Sequence, residues 1–483
     1  MAKKQILIYA DDSSVRKAVI DALGTRTASD VAEHQIHEFA TAPALRAYVD
    51  NNSKIDLFIL DGEAVPEGGL GVARQLKDEV FNCPPVLVIT GRKEDAWLAA
   101  WSMAEASVIH PIDPFTLAKT AAELLRGTTP AVVSKMSKEL WERFFLTLES
   151  GLNLEPADVQ WCMKQILEGR ADSELIKRFL LALKTKGETS EEVGALVAQM
   201  YEHCAPISIT ERAVDTVGTG GDGAHTINIS TTAAIIAAAA GAKTVKHGNR
   251  AASSKSGAAD LLEALGVAVT LDGKGVETTF AQLGIGFCFA PVFHPAMRFA
   301  APARKELGVP TVFNILGPLS NPAKPKAAAI GVANDRMHLV MAQVLADKGV
   351  DGFVFRGDDG LDEITLATTT SVLSLGNGQI SSDLLDPLDF GFSRAPISAL
   401  AGGDASENAR ITSAIFAGEK GAPRDAVVLN AAAAIAAYEG EMELNLHNRM
   451  QKAIDRATQA IDSGAAAALL SQWAALSQKL AAS

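Results

Sequence analysis

The spacing of hydrophobic and polar positions changes along the chain and predicts a different fold in each part. In residues 1–127, short apolar runs alternate with stretches of helical spacing. Strands are predicted at 5–10, 55–60, 85–89 and 107–109, and a helix at 14–23. Five β–α units of this kind predict a doubly wound parallel sheet, with the acidic residues that follow its strands at one edge.

Apolar residues then recur every three or four positions, which is the period of an α-helix. Four helices are expected at about 140–148, 161–167, 175–183 and 191–201. Before them lie Gly127, Pro130 and small polar residues, which predict an irregular linker. The chain is thereby divided into an α/β domain at 1–127, a linker at 128–136, a helical domain at 137–205 and a large α/β domain at 206–483.

The large domain is organised around residues 215–266. A short apolar run ends in a glycine-rich loop at 218–223, an alanine-rich helix follows, and a second apolar run ends in Lys-His-Gly-Asn-Arg at 246–250. This strand–loop–helix–strand order puts the polar residues at strand ends, where parallel sheets bind ligands. Further strands are predicted at 285–290 and 352–356, and a helix at 295–307.

The glycine-rich loop suits a phosphate group. Its glycines let the backbone reach positive φ and let a ligand approach the main-chain N–H groups. Ser230 and Thr231 stand where the next helix begins, so their hydroxyls either cap that helix or turn towards a ligand or metal. A helix N-terminus attracts anions, and Asp222 inside the loop indicates a bridging Mg²⁺, which prefers oxygen ligands.

Two other kinds of phosphate loop fit less well. Gly218, Gly220 and Gly223 satisfy G-x-G-x-x-G, but a dinucleotide site needs an acidic residue after the next strand to hold a ribose. Here that strand ends in Lys246 and His247, so a nicotinamide site is disfavoured. A Walker A loop is excluded because no Gly-Lys-Ser/Thr closes the loop.

Composition narrows the class of protein. Of 483 residues, 48% are hydrophobic and 21% charged, which is ordinary for a globular chain. The net charge of -13 argues against a general nucleic-acid or membrane surface. Four scattered cysteines form no C-x-x-C pair, which predicts free thiols and no zinc site. We find no signal peptide and no long apolar segment, so the expected location is cytoplasmic. The alanine tracts near 233–240 and 431–437 are expected to form buried helices.

Several motifs in the second part of the chain resemble those of the anthranilate phosphoribosyltransferases. They are GTGGD at 218–222, N-x-S-T at 228–231, KHGNR at 246–250, HPAMR at 294–298, ARKELG at 303–308, FNILGPLSNP at 313–322 and GDDGLDE at 357–363. The resemblance covers roughly residues 137–483. It implies a small helical domain and a large α/β domain of the nucleoside phosphorylase/phosphoribosyltransferase fold, and a homodimer. It also implies transfer of phosphoribosyl from phosphoribosyl pyrophosphate (PRPP) to anthranilate in tryptophan biosynthesis.

The same resemblance implies the residues of the site. PRPP would be held by Gly218, Gly220, Gly221, Asp222, Thr226, Asn228, Ser230, Thr231, Lys246 and Ser254. Mg²⁺ would be held by Asp222, Ser230, Asp362 and Glu363. Taken alone, the last two favour a solvated turn, and the nearby phosphate loop makes Mg²⁺ binding the better interpretation. Anthranilate would contact Gly218, His247, Asn249 and Arg304, whose planar fork matches a carboxylate. The expected catalytic group is His247, Asn249, Arg304 and His294, of which His294 either stacks against the amine or orients the loop.

Residues 1–127 resemble a response-regulator receiver domain, which has a flavodoxin-like fold. Asp61 matches the phosphoacceptor, Thr90 the switch hydroxyl and Asp11 one acid of the metal pair. The other acid is replaced by Ala10, and the usual lysine by His110, a weaker cation near neutral pH. Asp61 is therefore either a phosphorylation site or part of a degenerate domain that serves docking or dimerisation.

Two other functions remain as alternatives. A nucleoside phosphorylase of the same fold would use inorganic phosphate, and it would need base-reading residues where this chain has 246–250. A non-catalytic homologue that binds nucleic acid or a regulator is disfavoured by the negative charge and by the presence of Asp222, Asn249, Arg304 and Glu363.

Overall fold

The computed structural model describes residues 3–28, 30–52, 54–80, 83–92, 95–126, 131–251, 255–441 and 443–482. The chain forms two compact units, Met1–Phe144 and Phe145–Ser483. Their boundary lies beyond the domain end expected at 127, inside helix α6 (Ala131–Glu149).

The first unit is a five-stranded sheet with helices between its strands. The strands are β1 (Lys4–Tyr9), β2 (His34–Phe39), β3 (Leu57–Asp61), β4 (Val86–Thr90) and β5 (Ala106–Ile109). The helices before α6 are α1 (Ser13–Leu23), α2 (Ala42–Asn51), α3 (Gly69–Glu79), α4 (Ala96–Trp101) and α5 (Pro114–Leu125). All neighbouring strands are parallel, in the order β2-β1-β3-β4-β5.

Both faces of this sheet are buried because successive side chains of a strand point to opposite sides. Ile6 and Ile8 belong to the core that includes α1 and α5, whereas Leu7 and Tyr9 belong to the core that includes α2, α3 and α4. The expected parallel α/β sheet is confirmed. Pattern analysis did not identify the edge strand β2, since its sequence HQIHEF is largely polar.

The expected linker at 128–136 is helical where the structure describes it. Residues 131–136 form the first turns of α6. No glycine or proline occurs between Ala131 and Glu149, and most residues there are good helix formers. The prediction of an irregular path is wrong from Ala131 onward, because it gave Gly127 and Pro130 more weight than the helical residues that follow them.

The helical part of the second unit follows the sequence prediction. Its four expected helices are the end of α6, then α7 (Pro156–Leu167), α8 (Ser173–Lys186) and α9 (Ser190–Glu202). The α9 helix begins with a capping box between Thr189 and Glu192. Glu192 also pairs with Lys186 at 2.7 Å, and both side chains are buried, so this ion pair joins the start of α9 to the end of α8.

The rest of the second unit is an α/β domain built on a seven-stranded sheet. The strands are β6 (Val214–Gly218), β7 (Thr244–Gly248), β8 (Ile285–Phe289), β9 (Ala327–Gly331), β10 (Asp351–Gly357), β11 (Thr370–Gly376) and β12 (Gln379–Leu385). Their order is β12-β11-β10-β9-β6-β7-β8. Strands β6 to β10 are parallel to one another, and β11 and β12 extend the sheet from β10 as an antiparallel meander.

Eleven α-helices among the described residues accompany this sheet. They are α10 (Ile229–Ala239), α11 (Ala258–Ala264), α12 (Gly273–Leu283), α13 (Ala290–Phe293), α14 (Ala301–Leu307), α15 (Phe313–Leu319), α16 (Asp335–Asp347), α17 (Ala405–Phe416), α18 (Ala422–Glu439), α19 (Leu446–Asp462) and α20 (Ala465–Ala481). Short 3₁₀ helices lie at Pro295–Phe299, Pro387–Phe390 and Ile397–Leu400. The two alanine-rich helices, α10 and α18, are buried in one core, as expected from their composition.

One expected helix is broken. Residues 295–307 form a 3₁₀ helix and then α14, with Ala300 between them. Pro302 explains the break, because it has no N–H to donate to the preceding turn but is tolerated in the first turn of a new helix. Within the described parts of the chain, no helix is long and apolar enough to cross a lipid bilayer.

Candidate active site

The polar residues of the second unit gather at the carboxyl edge of its sheet. Strands β10, β9, β6, β7 and β8 are neighbours and run in the same direction, so their carboxyl ends lie along one edge. The glycine-rich loop follows β6, and residues 246–250 end β7. We use the name phosphate loop for residues 218–228, which connect β6 to α10.

Two glycines allow an acidic loop to pass over this edge. A Cβ at Gly331, where β9 ends, would overlap the main chain of Asp362. A Cβ at Gly218 would overlap the Asp362 carboxylate. Because neither glycine has a Cβ, Asp362 reaches the phosphate loop and accepts a hydrogen bond from the N–H of Gly220 at 2.6 Å.

Three carboxylates influence one another here. Burial, followed by the charge of Asp222, raises the pKa of Asp362 to about 7. Burial and the charge of Asp362 raise the pKa of Glu363 well above its usual range, while Lys246 opposes the rise. No group of three His, Cys, Asp or Glu side chains in the described residues is arranged to hold a metal ion by itself. The donor set is nevertheless oxygen-rich, and a cation would relieve the repulsion between these buried acids.

Lys246 lies beneath the loop rather than on its surface. Its side chain is buried, and Nζ donates to the Thr216 carbonyl at 2.5 Å and to Ser230 Oγ at 3.3 Å. Burial lowers the pKa of Lys246, and the carboxylates of Asp215 and Glu363 counteract this effect. Of the two roles considered for the Ser230 hydroxyl, capping α10 is excluded, because the helix begins one residue earlier, after Asn228, and no side chain caps it.

The buried carboxylate of Asp215 stabilises strand β7. Asp215 accepts hydrogen bonds from the His247 N–H at 3.2 Å and from Asn321 Nδ2 at 2.8 Å. Burial raises the pKa of Asp215 to about 6, and Lys246 opposes the rise. Asn321 also donates to the Val245 carbonyl at 2.8 Å, so this pair fixes the backbone on which the KHGNR residues stand.

The imidazole of His247 has one defined tautomer. Nδ1 lies 2.9 Å from the Gly317 carbonyl, which can only accept, so Nδ1 carries the proton. Burial, followed by the neighbouring His294 ring at 5.1 Å, lowers the pKa of His247 to about 3. The ring is therefore neutral, and its buried Nε2 has a lone pair but no partner among the described residues. His294 is also buried, with Nε2 at 2.9 Å from the Ser320 carbonyl.

The two residues after the β7 strand have different environments. Asn249 is exposed, and its side chain accepts a hydrogen bond from the Arg250 N–H at 2.7 Å. Arg250 itself forms ion pairs with Glu263 and Asp260 on α11, which raise its pKa further. Asn249 is consequently exposed at the carboxyl edge of the sheet, whereas the ion pairs of Arg250 anchor the loop that follows β7.

Arg304 differs from Arg250 in its contacts. Its side chain is exposed, and its guanidinium forms no hydrogen bond or ion pair with any residue that the structure describes. The protein around it still lowers the pKa of Arg304 through partial burial. A guanidinium without a partner among the described residues is able to receive a planar anion in bidentate geometry.

Most of the remaining residues expected to contact PRPP belong to the phosphate loop or to the start of α10. Thr231 is buried in the first turn of α10, and Thr226 pairs with Ala401 in an isolated bridge. Gly220 and Gly221 have φ of 70° and 87°, in the left-handed region that favours glycine. Ser254 lies outside the described residues.

Sequence reasoning missed several polar residues that support the site. Asn430, buried in α18, binds both the N–H and the carbonyl of Ile364 at 2.9 and 3.0 Å and so fixes the residue after Glu363. A single asparagine in an alanine-rich buried helix was the available signal, since a buried amide needs partners. Asn321 was visible only as part of a motif, and nothing in the sequence indicated its contact with Asp215.

The first unit has a polar edge of its own. Asp61 ends β3 and is buried, and its Oδ1 accepts from the Glu63 N–H at 3.1 Å and lies 3.3 Å from His110 Nε2. Thr90 ends β4 and is buried, while Asp11 follows β1 and is exposed. The structure thus brings Asp61 and His110 into contact and puts the other two residues at the ends of the adjacent strands.

Two family models match the second unit. The model described as "Glycosyl transferase family, a/b domain" matches residues 210–467. The model described as "Glycosyl transferase family, helical bundle domain" matches residues 145–204.

Similar proteins are known both as sequences and as structures. The chain is 50% identical over 343 residues to an anthranilate phosphoribosyltransferase of Rhodococcus jostii, covering 71% of this chain and 95% of the relative. A crystal structure of the enzyme of that name from Thermus thermophilus is 39% identical with a TM-score of 0.65, covering 69% of this chain and 99% of the other. The Saccharomyces cerevisiae enzyme in complex with PRPP and Mg is 27% identical with a TM-score of 0.60, covering 67% and 92%.

Proposed function

Because this chain belongs to the anthranilate phosphoribosyltransferase family, we propose that it transfers the 5-phosphoribosyl group from PRPP to the amine of anthranilate. The reaction releases pyrophosphate and forms part of tryptophan biosynthesis. The observation that carries the proposal is the meeting of the glycine-rich loop and the acidic loop, joined by the hydrogen bond from Gly220 to Asp362. A phosphate loop and a carboxylate cluster at one sheet edge suit a substrate with a pyrophosphate group and a divalent cation.

The pyrophosphate would lie against the phosphate loop and the start of α10. The N–H groups of Gly220 and Gly221, the hydroxyls of Ser230, Thr231 and Thr226, and the amide of Asn228 supply its polar contacts. Asp222, Asp362, Glu363 and Ser230 would hold Mg²⁺, which when bound neutralises the charge that develops on the leaving group. Mg²⁺ commonly binds through one or two carboxylates plus substrate phosphates, which agrees with a site that is incomplete without substrate.

Lys246 contributes charge from below the loop. Its ammonium is 3.3 Å from Ser230 Oγ and is surrounded by acids, so it orients the Ser230 hydroxyl by donating to it. With Nζ as donor, one lone pair of Ser230 Oγ is directed at the lysine, and the other lone pair and the hydroxyl proton are free to point elsewhere.

Chemistry at the anomeric carbon needs positioning more than proton transfer. The C–O bond to pyrophosphate breaks and the C–N bond to anthranilate forms, so charge stabilisation and alignment dominate. The aromatic amine is neutral near pH 7 and loses a proton after attack. Among the residues expected in the site, neutral His247 is the candidate to accept this proton, because its Nε2 has a lone pair.

Anthranilate would be held through its carboxylate. The Arg304 guanidinium has no partner among the residues that the structure describes, and Asn249 is an exposed amide directly after β7. Both groups are donors, and a charge-assisted bidentate pair is the strongest hydrogen-bonded contact available to a carboxylate.

The proposal is tested by the products. We expect pyrophosphate release that requires both anthranilate and PRPP in the purified full chain. A same-fold nucleoside phosphorylase would instead cleave nucleosides with inorganic phosphate and would release no pyrophosphate. A chain that did neither, while folded, would support a non-catalytic binding protein.

A homodimer and a cytoplasmic location accompany this proposal. Leu146, Leu152 and Leu181 of the helical domain are 64%, 61% and 40% exposed, and burying these apolar side chains against a second copy would favour self-association. None of the four cysteines forms a disulfide with another described residue, which agrees with a reducing compartment. Light scattering of the purified chain should give twice the monomer mass.

The first unit is proposed to be a degenerate receiver-like domain that docks a regulatory partner. Its strand order is the flavodoxin-like 2-1-3-4-5, and Asp61 lies where a phosphoacceptor would lie. Ala10 removes one acid of the metal pair, and His110 replaces the cation beside Asp61. Asp61, with Asp11, Thr90 and His110, remains the candidate phosphorylation site of this unit.

A further inference from the structure

A segment outside every motif supports the phosphate loop. We call residues 400–408 the brace. The N–H of Ile227 donates to the Leu400 carbonyl at 2.9 Å, and the N–H of Gly402 donates to the His225 carbonyl at 2.9 Å. Between these two bonds, Thr226 and Ala401 form an antiparallel bridge. The last residues of the phosphate loop are thereby paired, as a short strand, with the brace.

Gly402 makes this close approach possible. A Cβ at Gly402 would lie 2.7 Å from the Thr226 carbonyl oxygen and 2.8 Å from both the Ile227 nitrogen and Asn408 Oδ1. Backbone atoms cannot withdraw from such a contact without moving the loop. Any side chain at this position therefore displaces either the brace or residues 226–227.

Asn408 connects the brace to the loop through side chains. It is almost fully buried in α17, and its Oδ1 accepts from the Gly403 N–H at 2.8 Å. Its Nδ2 donates to Asn228 Oδ1 at 2.8 Å. Asn228 in turn donates from Nδ2 to the Ser256 carbonyl at 2.9 Å and accepts from Ser256 Oγ at 3.1 Å.

This chain of bonds determines which way the Asn228 amide faces. Oδ1 of Asn228 receives two donors, and Nδ2 has a carbonyl acceptor, so exchanging the two ends would set acceptor against acceptor at Ser256. Asn408 therefore fixes both the loop that follows β6 and, through Ser256, the segment that follows β7.

We propose that Gly402 and Asn408 are positioning residues for the phosphoribosyl side of the site, acting through Thr226 and Asn228. The inference rests on the proposed function, because those two residues are expected to contact PRPP. The brace itself does not contact the substrate. Its effect is to determine the position of the phosphate loop.

The test compares two hydrogen-bonded pairs of side chains that join α17 to the segment around the start of α10. Asn408→Asp keeps the size of the side chain but replaces the donor to Asn228 with an acceptor. The control is Thr412→Val, which removes the hydroxyl that pairs with Thr232 at 3.1 Å, one turn further along α17. Each variant of the full chain is assayed for the KM of PRPP, the KM of anthranilate and the midpoint of thermal unfolding.

We expect Asn408→Asp to raise the KM for PRPP about tenfold and to leave that for anthranilate within about twofold, as a displaced binding loop should. Thr412→Val should change neither constant. Asn408→Ala is the second variant in case the aspartate does not fold, and combining it with Asn228→Ala should add no further loss.

Folded Asn408 variants with an unchanged KM for PRPP would overturn the inference, as would equal increases in both constants or equal effects of Thr412→Val. These results are distinguishable from failure of the proposed function, since in that case the unaltered chain would itself lack turnover.

Discussion

The carboxylate of Asp362 accepts a hydrogen bond from the main-chain N–H of Gly220 at 2.6 Å, although the two residues are 142 positions apart in the sequence. This contact joins the loop after β10 to the loop after β6 across the intervening strand β9. It exists because neither Gly218 nor Gly331 has a side chain to obstruct Asp362. The site therefore depends on the space that these two glycines leave open as much as on its acids.

Gly218→Ala tests this arrangement directly. The added methyl group would overlap the Asp362 carboxylate and push the two loops apart. We expect kcat/KM for PRPP to fall about a hundredfold or more, because small displacements of a substrate-positioning loop have large kinetic effects. Gly194→Ala is the control, since a Cβ at that helical position meets nothing within 4 Å. Similar activity in both variants would contradict the account.

Arg304→Ala should separate the two substrates. Removing the guanidinium takes away the proposed partner of the anthranilate carboxylate but no contact with PRPP. The KM for anthranilate should rise about tenfold or more, as expected for a lost hydrogen bond to a charged group, with a much smaller change for PRPP. Lys305→Ala, the adjacent exposed cation on α14, serves as the control. Equal effects on both substrates would remove Arg304 from the carboxylate site.

The buried His247 should make stability depend on pH. Its folded-state pKa of about 3 lies below the value of about 6.5 for an unfolded histidine. Between these values the unfolded chain binds a proton that the folded protein does not, so stability falls as the pH decreases from 6.5. For this residue the loss is at most about 1.4 kcal/mol per pH unit.

Urea unfolding of the wild type and His247→Gln between pH 5 and 7 measures this contribution. The variant should lose stability less steeply than the wild type as the pH falls. Parallel pH dependence in the two proteins would show that His247 takes up its proton in the folded state. The groups that face His247 are His294 and Lys246, and both disfavour its protonated form.

The proposed degeneracy of the first unit is tested by restoring the two residues in which it departs from a receiver domain. Replacing Ala10 with Asp and His110 with Lys would return the acid and the cation that a receiver normally has beside Asp61. We expect the double variant to accept phosphoryl groups from acetyl phosphate at least about tenfold faster than the wild type, since each group stabilises transferred charge. Asp61→Asn in the same background is the control for the site of labelling. Equal labelling of the wild type and the double variant would show that the domain is not degenerate.

Much of the fold followed from short-range patterns. Continuous apolar runs predicted the buried strands, and the alanine tracts predicted α10 and α18, because burial and helical period leave local signals. The edge strand β2 and the first turns of α6 were missed, since the former is polar and the latter follows residues typical of a linker.

The site was predictable only where its residues lie in motifs. The loops at 218–223 and 246–250 were recognised from sequence, but the inward direction of Lys246 was not, because it depends on Thr216 and Ser230 in three dimensions. Asn408 and Gly402 gave no signal, since their role arises from contacts with residues about 180 positions earlier. Such long-range hydrogen bonds are visible only once the sheet has been assembled.

The central claim is tested most directly by the fluorescence of anthranilate. The account predicts that the purified full chain removes this fluorescence progressively when PRPP and Mg²⁺ are both present, and not when either is omitted. A folded chain that leaves the fluorescence unchanged with both present would contradict the proposed transfer of phosphoribosyl to anthranilate.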